Sequence, residues 1–165
     1  MTDSLRGQLL IAAPQLSDYF RRTVVLVVEH TEEGAMGVVL NRPTETSVSE
    51  AVPDLVDLAG EDALIHDGGP VNPDSVLALG DVDGEPELLA PDDLDLDPSR
   101  VRVFAGYAGW APGQLDGELE EEAWITLPAE PDDAFAEIDL WPEVLQRKGG
   151  TYALMATMPL DPTMN

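Results

Sequence analysis

Five consecutive apolar residues, Val24 to Val28 within the stretch 23–29 (TVVLVVE), constrain this chain more than any other feature. Neighbouring side chains of a strand point to opposite faces, so a strand with one wet face alternates apolar and polar residues. An unbroken apolar run of this length suits a strand covered on both faces. The chain must therefore place layers of structure on both sides of it. His30-Thr31-Glu32-Glu33-Gly34 follows as a turn, and 35–41 (AMGVVLN) reads as the partner strand of a hairpin. Asn41-Arg42-Pro43 ends that strand, because proline cannot donate to a ladder.

Around this hairpin the pattern is a mixture of short strands and short helices. Residues 7–13 (GQLLIAA) form a first strand; 63–66, 75–79, 101–107 (VRVFAGY) and 123–127 (AWITL) supply others. Helical spacing recurs over 47–56, where Pro53 shortens or kinks the helix, and over 110–122, a loop followed by a helix with Ala111, Leu115 and Leu119 inward and Glu118, Glu120, Glu121 and Glu122 toward solvent. Residues 132–137 and 141–148 suit two further short helices. The second has Pro142 in its first turn, Arg147 and Lys148 near its C-terminus and Gly149-Gly150 as a stop. Residues 152–158 are a last apolar run, strand or buried tail. The acidic, proline-rich stretch 80–99 reads as an exposed irregular connection within one domain spanning 1–165. Hairpin-linked strands interspersed with helices, without regular βαβ units, predict an α+β fold in a single compact domain.

Charge bounds the partners. The chain has 33 acidic residues against 8 basic ones, a formal net charge of −25. Affinity for nucleic acid depends on neutralising phosphates with Lys and Arg, and no basic stripe exists here beyond the pairs Arg21-Arg22 and Arg147-Lys148. Direct nucleic-acid binding is therefore disfavoured. Cysteine is absent, which removes disulfides, thiolate chemistry and thiolate-bound metals. The N-terminal residues lack a basic segment followed by an apolar one, and no apolar run approaches the roughly 20 residues of a membrane span. These features predict a cytoplasmic protein without a membrane segment, cofactor or metal; its oligomeric state is not encoded in any such pattern.

The stretch 106–115 (GYAGWAPGQL) carries the most suggestive chemistry, two large aromatics among three glycines. Such a glycine cluster marks sharp turns or the close approach of backbone to something else. Tyr107 and Trp110 can wall a ligand pocket with Gln114 as a polar handle, or they can anchor the segment to the core. Gly68-Gly69-Pro70-Val71 lacks the Lys and Ser/Thr of a phosphate-cradling loop and reads as a tight turn approaching Gly106. His30 and His66, the two histidines, each stand beside a carboxylate (Glu29, Asp67) at a strand end. Each is open to three readings: a general base, a metal ligand, or a structural hydrogen-bonding group. No nucleophile elbow, Cys or Lys cluster accompanies them. Arg21 and Arg22 either pair with internal carboxylates or bind an anionic ligand. Trp124 and Trp141 belong to the core or its edge.

Several ordered blocks carry a family resemblance: Phe20-Arg21-Arg22-x-Val24, Glu29-His30, Gly34-Ala35-Met36-Gly37 with Asn41-x-Pro43, Gly68-Gly69-Pro70-Val71, and 106–115. Together they resemble the AlgH/YqgE family of bacterial proteins over almost the whole chain, and the C-terminal sequence resembles its actinobacterial branch. Where the family has Gly-Gln-Leu-Glu-x-Glu, this chain has Asp116 for the first Glu and keeps Glu118. The resemblance implies a strongly bent, bifurcated, mostly antiparallel sheet forming a pseudo-barrel with flanking helices. It implies no catalytic residues; one branch of the family is named for transcriptional regulation of exopolysaccharide production. The reading that results is a non-enzymatic regulatory or adaptor protein, acting on transcription, if at all, indirectly through a partner. Its binding surface, for a small ligand or a protein, would use Arg21, Arg22, His30, Gly68, Gly69, Tyr107, Trp110 and Gln114. The alternative is a hydrolase-like enzyme with His30 or His66 as general base.

Overall fold

A computed structural model of the chain describes residues 5–13, 22–53, 60, 63–82, 85–89, 101–130, 132–135 and 140–155. The apolar run lies in strand β2 (Val24–Thr31), flanked by β1 (Gln8–Ala12) and β3 (Gly34–Val39), both antiparallel to it. Its residues divide between two cores as the unbroken pattern requires. Val24 and Leu26 join Leu9, Ile11, Val38 and Leu40 on one face; Val25 and Val27 join Leu10, Val39, Trp110 and Trp124 on the other. Helix α3 (Leu140–Lys148) covers the first face with Trp141, Val144 and Leu145, and α2 (Gln114–Glu120) covers the second with Leu115.

The remaining strands are β4 (Pro43–Ser47), β5 (Leu64–Asp67), β6 (Val71–Val82), β7 (Glu85–Leu89), β8 (Val101–Trp110) and β9 (Trp124–Pro128). The main path runs β4-β5-β8-β3-β2-β1-β9, with β6 and β7 branching from β8. Only β5 and β8 pair in parallel among the described strands, so the sheet is mixed, bifurcated and unclosed. Short helix α1 (Val48–Ala51), capped by the Ser47 hydroxyl, lays Val48 over Ile65 and Val103 in a third, smaller core. Helix α4 (Thr151–Met155) follows α3.

The branch point explains the glycines. On one edge of β8, β5 pairs with Phe104 and Ala105, and β3 takes over from Ala108 to Trp110. The exchange happens at Gly68, whose N–H donates to the Ala105 carbonyl and whose carbonyl accepts from Val39, both at 2.9 Å. A side chain on Gly68 would collide with the Gly106 carbonyl, one on Gly69 with the Tyr107 backbone, and one on Gly106 with the Gly69 carbonyl. Gly106 also has φ +76°, where an L side chain is strained. What the glycine-rich stretch closely approaches is the Gly68-Gly69 turn of the same chain.

Several expectations change in contact with the structure. The strand expected over 101–107 runs on to Trp110, where a loop was expected to begin, because β3 supplies ladder partners that far. The strand expected at 75–79 extends from Val71 to Val82, with Asn72, Pro73, Asp74 and Ser75 in the irregular stretch between its pairings at Val71 and Val76. Part of the acidic connection is ordered sheet, since β6 reaches Val82 and pairs with β7, Leu79 opposite Leu88; residues 90–99 lie outside the described residues. The final apolar run begins as helix α4 rather than strand, with Leu154 70% exposed. Pro43 opens β4, a position where no preceding ladder N–H is lost.

Polar contacts fix α3 to the sheet. The Trp141 indole donates to the Ala12 carbonyl at 2.9 Å, and the Lys148 ammonium to the Thr126 carbonyl at 2.6 Å. Arg147 grips Asp133 through two 2.9 Å hydrogen bonds, and Asp133, 4% exposed, also accepts the Glu130 N–H. This pairing raises the Arg147 pKa.

The two glycine environments make a paired prediction. Gly106→Ala combines a left-handed φ with collision against backbone and should cost about 3 kcal/mol or more. Gly113 has nearly the same φ, +77°, but open space around it, so Gly113→Ala should cost only about 1 kcal/mol. Urea denaturation of the two variants beside the parent checks the contrast.

Candidate binding site

Among the described residues, two places gather side chains with chemical potential: the start of α2 and the tip of the β2–β3 hairpin. At α2, β8 delivers Trp110 and β9 delivers Trp124, whose rings meet edge to face with centroids 6.1 Å apart. Both indoles donate to one oxygen of Glu118, Trp110 at 3.1 Å and Trp124 at 2.8 Å. The other Glu118 oxygen accepts from the Gln114 amide at 3.0 Å, and the Gln114 oxygen accepts the Ala111 N–H at 2.9 Å. Glu118 thus turns inward, contrary to its expected solvent position, because two indole donors at the sheet edge need an acceptor. The Gln114 and Glu118 spacing of i, i+4 was the available sequence signal for this pairing.

Trp110 is 7% exposed and packs with Val25, Val39 and Leu115. Tyr107 lies on the opposite face against the first core, and its hydroxyl receives the Asn72 amide at 3.3 Å. Gly68 and Gly69 meet β8 through backbone, as described above. The structure therefore joins Gly68 and Gly69 to Tyr107, and Trp110 to Gln114, as two separate groups.

Arg22 has φ +54° and is held by Asn41, whose amide donates to the Arg22 carbonyl at 2.8 Å and whose oxygen accepts the Val24 N–H at 3.0 Å. Its guanidinium lies 4.5 Å from the centroid of the Trp141 ring, a cation–π contact on α3. Arg21 lies outside the described residues.

The histidines stand far apart. His30 aligns through Ala35 with Trp110, and His66 aligns with Phe104; these marks are separated along β8 by about 20 Å. His30 Nδ1 accepts the Leu5 N–H at 2.9 Å, which fixes that nitrogen as an acceptor. His66 is 8% exposed, its ring tilted against Phe104 at 5.8 Å. Burial, reinforced by the nearby Arg102 charge and partly opposed by a backbone contact with Leu64, pushes its pKa down to about 4. Nδ1 itself has no hydrogen-bond partner.

The hairpin tip carries a groove of about 290 Å³ lined by Glu29, Thr31, Glu33, Gly34, Ala35, Met36 and Trp110. Gly34 closes it against β8, since a Cβ there would strike the Trp110 carbonyl. The two carboxylates make the groove negative, and Met36 supplies a polarisable apolar wall. Of the residues singled out in the sequence, Trp110 borders this groove. Glu29, Glu33 and Met36 were not among the expected binding residues, because the hairpin brings them together only after its register is set by the irregularity between Val27 and Glu29. Among the described residues no cluster of His, Cys, Asp or Glu is arranged to hold a metal ion.

Comparison with known proteins places this geometry. The family model described as AlgH-like matches residues 9–153. The chain belongs to the AlgH-like family. It is 44% identical over 190 residues to a UPF0301 protein of Streptomyces coelicolor, covering 98% of this chain and 96% of that one. A UPF0301 protein of Mycolicibacterium smegmatis is 41% identical over 181 residues, covering 96% and 90%. A crystal structure of a Corynebacterium diphtheriae protein superposes with a TM-score of 0.82 at 31% identity, over 95% of this chain and 93% of that one. The solution structure of the AlgH protein from Pseudomonas aeruginosa superposes with a TM-score of 0.72, also at 31% identity, over 96% of both chains. In this AlgH-like chain Asp116 has its Oδ1 buried without a partner, while Glu118 carries the hydrogen bonds to both tryptophans.

Glu118→Ala should leave both indole N–H groups without their acceptor and destabilise the fold by about 2 kcal/mol or more. Glu118→Gln keeps one acceptor oxygen and should cost less. Thermal unfolding with tryptophan fluorescence reads both effects.

Proposed function

We propose that this chain is a non-catalytic, cytosolic regulatory or adaptor protein that acts by binding, and that the hairpin groove is where it receives a protein partner. The observation that carries this reading is the groove itself, with Glu29 and Glu33 beside Met36 and the buried edge of Trp110. At about 290 Å³ and open to solvent, it lies at the lower limit of small-molecule pockets and suits one or two inserted side chains better than an enclosed metabolite. A lysine or arginine fits: its apolar stem against Met36, its cationic head against the carboxylates. The net charge of −25 adds long-range attraction for a basic partner and repels phosphate backbones, so any effect on transcription runs through a protein rather than an operator. The glycine junction and the doubly covered β2 hold the hairpin on a stiff base, which keeps the groove formed before binding.

A short arginine-rich peptide, titrated calorimetrically at low and at physiological salt, tests this. Binding should weaken with salt, and the combined Glu29→Gln and Glu33→Gln substitution should weaken it by about tenfold. Amide shifts in NMR should concentrate at Thr31, Gly34, Ala35 and Met36. Affinity unchanged by the double substitution, or shifts centred elsewhere, overturns the assignment of the groove.

A further inference from the structure

The buried His66 is not among the residues that line the hairpin groove and takes part in no hydrogen bond at Nδ1, and its setting gives it a different use. On β5, His66 has Pro43 of β4 on one side and Phe104 of β8 on the other. Arg102 lies two residues before Phe104 and so shares that face of the sheet. The Arg102 guanidinium donates to the carbonyls of Ala134 and Phe135, both at 3.2 Å, tying β8 to the 3₁₀ turn Asp133–Phe135. The β4–β5 edge is tied by pairing at Pro43 and Ser47 with an irregularity between them, by the Thr44 hydroxyl on the Ile65 carbonyl at 2.7 Å, and by the Asp67 N–H on the Arg42 carbonyl and the Val48 N–H on the Ala63 carbonyl.

We propose that His66 is a proton-sensitive latch: as a neutral ring it seals the β4–β5 edge against β8, and when protonated it sets a second cation beside Arg102 and releases that edge.

The surrounding charges support this arrangement. Asp67, next in sequence, points to the other face by strand alternation, and its carboxylate accepts the Gly69 N–H at 3.2 Å. On β4 Glu45 is exposed to water, and just before that strand Arg42 adds another cation, its carbonyl taking the Asp67 N–H at 2.8 Å. On β6 Leu77 and Leu79 stand opposite Phe104 and Arg102, and the buried Asp81 lies beyond them on the Arg102 side. In the 3₁₀ turn Asp133 is engaged by Arg147. No carboxylate on these elements is bonded to the imidazole, so a proton on it has the backbone contact with Leu64 as its partial offset against burial beside a guanidinium.

The direction follows from linkage. An imidazole held near pKa 4 when packed, against the ordinary 6.5 when open, contributes stability that is complete above pH 6.5 and is lost as the pH falls toward 4. At pH 5 the open form should be favoured about 30-fold more than at pH 7.5. Protonation of surface carboxylates also changes with pH, but it acts alike on a variant that lacks only the imidazole.

Amide hydrogen exchange at pH 7.5 and pH 5, corrected for intrinsic rates, tests the latch in the parent and in His66→Phe. The parent should lose about 30-fold more protection at Asp67 and its neighbours on β5 than the variant does. Amides of the β1–β9 pair should change equally in the two proteins. Equal responses on β5 overturn the proposal. If His66→Phe does not fold, His66→Gln takes its place in the same comparison. The imidazole carbon shift of the parent gives an independent reading: a ring that titrates near 6.5 while β5 stays protected also overturns it.

Discussion

Everything in this fold depends on how closely two stretches of backbone meet at β8. Gly68 and Gly69 lie against Gly106 and Tyr107 at distances that leave no room for a Cβ. That contact lets β5 leave the edge of β8 and β3 take its place, so one strand serves two wings of sheet. Without it, the β4-β5 and β6-β7 strands would lose their common partner, and the β2–β3 hairpin would lose its base. Because an ordinary side chain at these points meets backbone rather than a movable group, the junction has little freedom to adapt.

The two covered faces of β2 follow from the same organisation. Helix α3 seals one face and is pinned by Trp141, Arg147 and Lys148; α2 seals the other and is pinned by Glu118. In each case a polar group at the rim of a core finds a partner on the neighbouring element, which is how buried indoles, carboxylates and guanidinium groups are kept in a protein interior. Lys148 also occupies a carbonyl on β9, the strand that ends the main path of the sheet, and so blunts an edge open to further pairing.

The chemically prominent residues therefore divide by function. Trp110, Trp124, Gln114 and Glu118 are bonded to one another; Arg22 stacks on Trp141; His66 is enclosed. The hairpin tip is different, since Glu29, Glu33 and Met36 border open space over a rigid support. It is a place where binding need not disturb the core.

The sequence alone determined the α+β class, the β2–β3 hairpin, the doubly buried strand and the helix at α3, because each rests on local periodicity, turn residues or an uninterrupted apolar run. It also pointed to the close approach of the Gly68-Gly69 turn to Gly106, because glycines so clustered leave room for backbone to meet backbone. Tertiary structure decided the rest. The strand read over 101–107 ran on to Trp110 because β3 offered ladder partners, Glu118 turned inward because two indoles arrived from separate strands, and the groove formed because the hairpin register aligned Glu29, Glu33 and Met36. Those outcomes depend on groups far apart along the chain, and no local pattern records which of them the folded sheet will bring together.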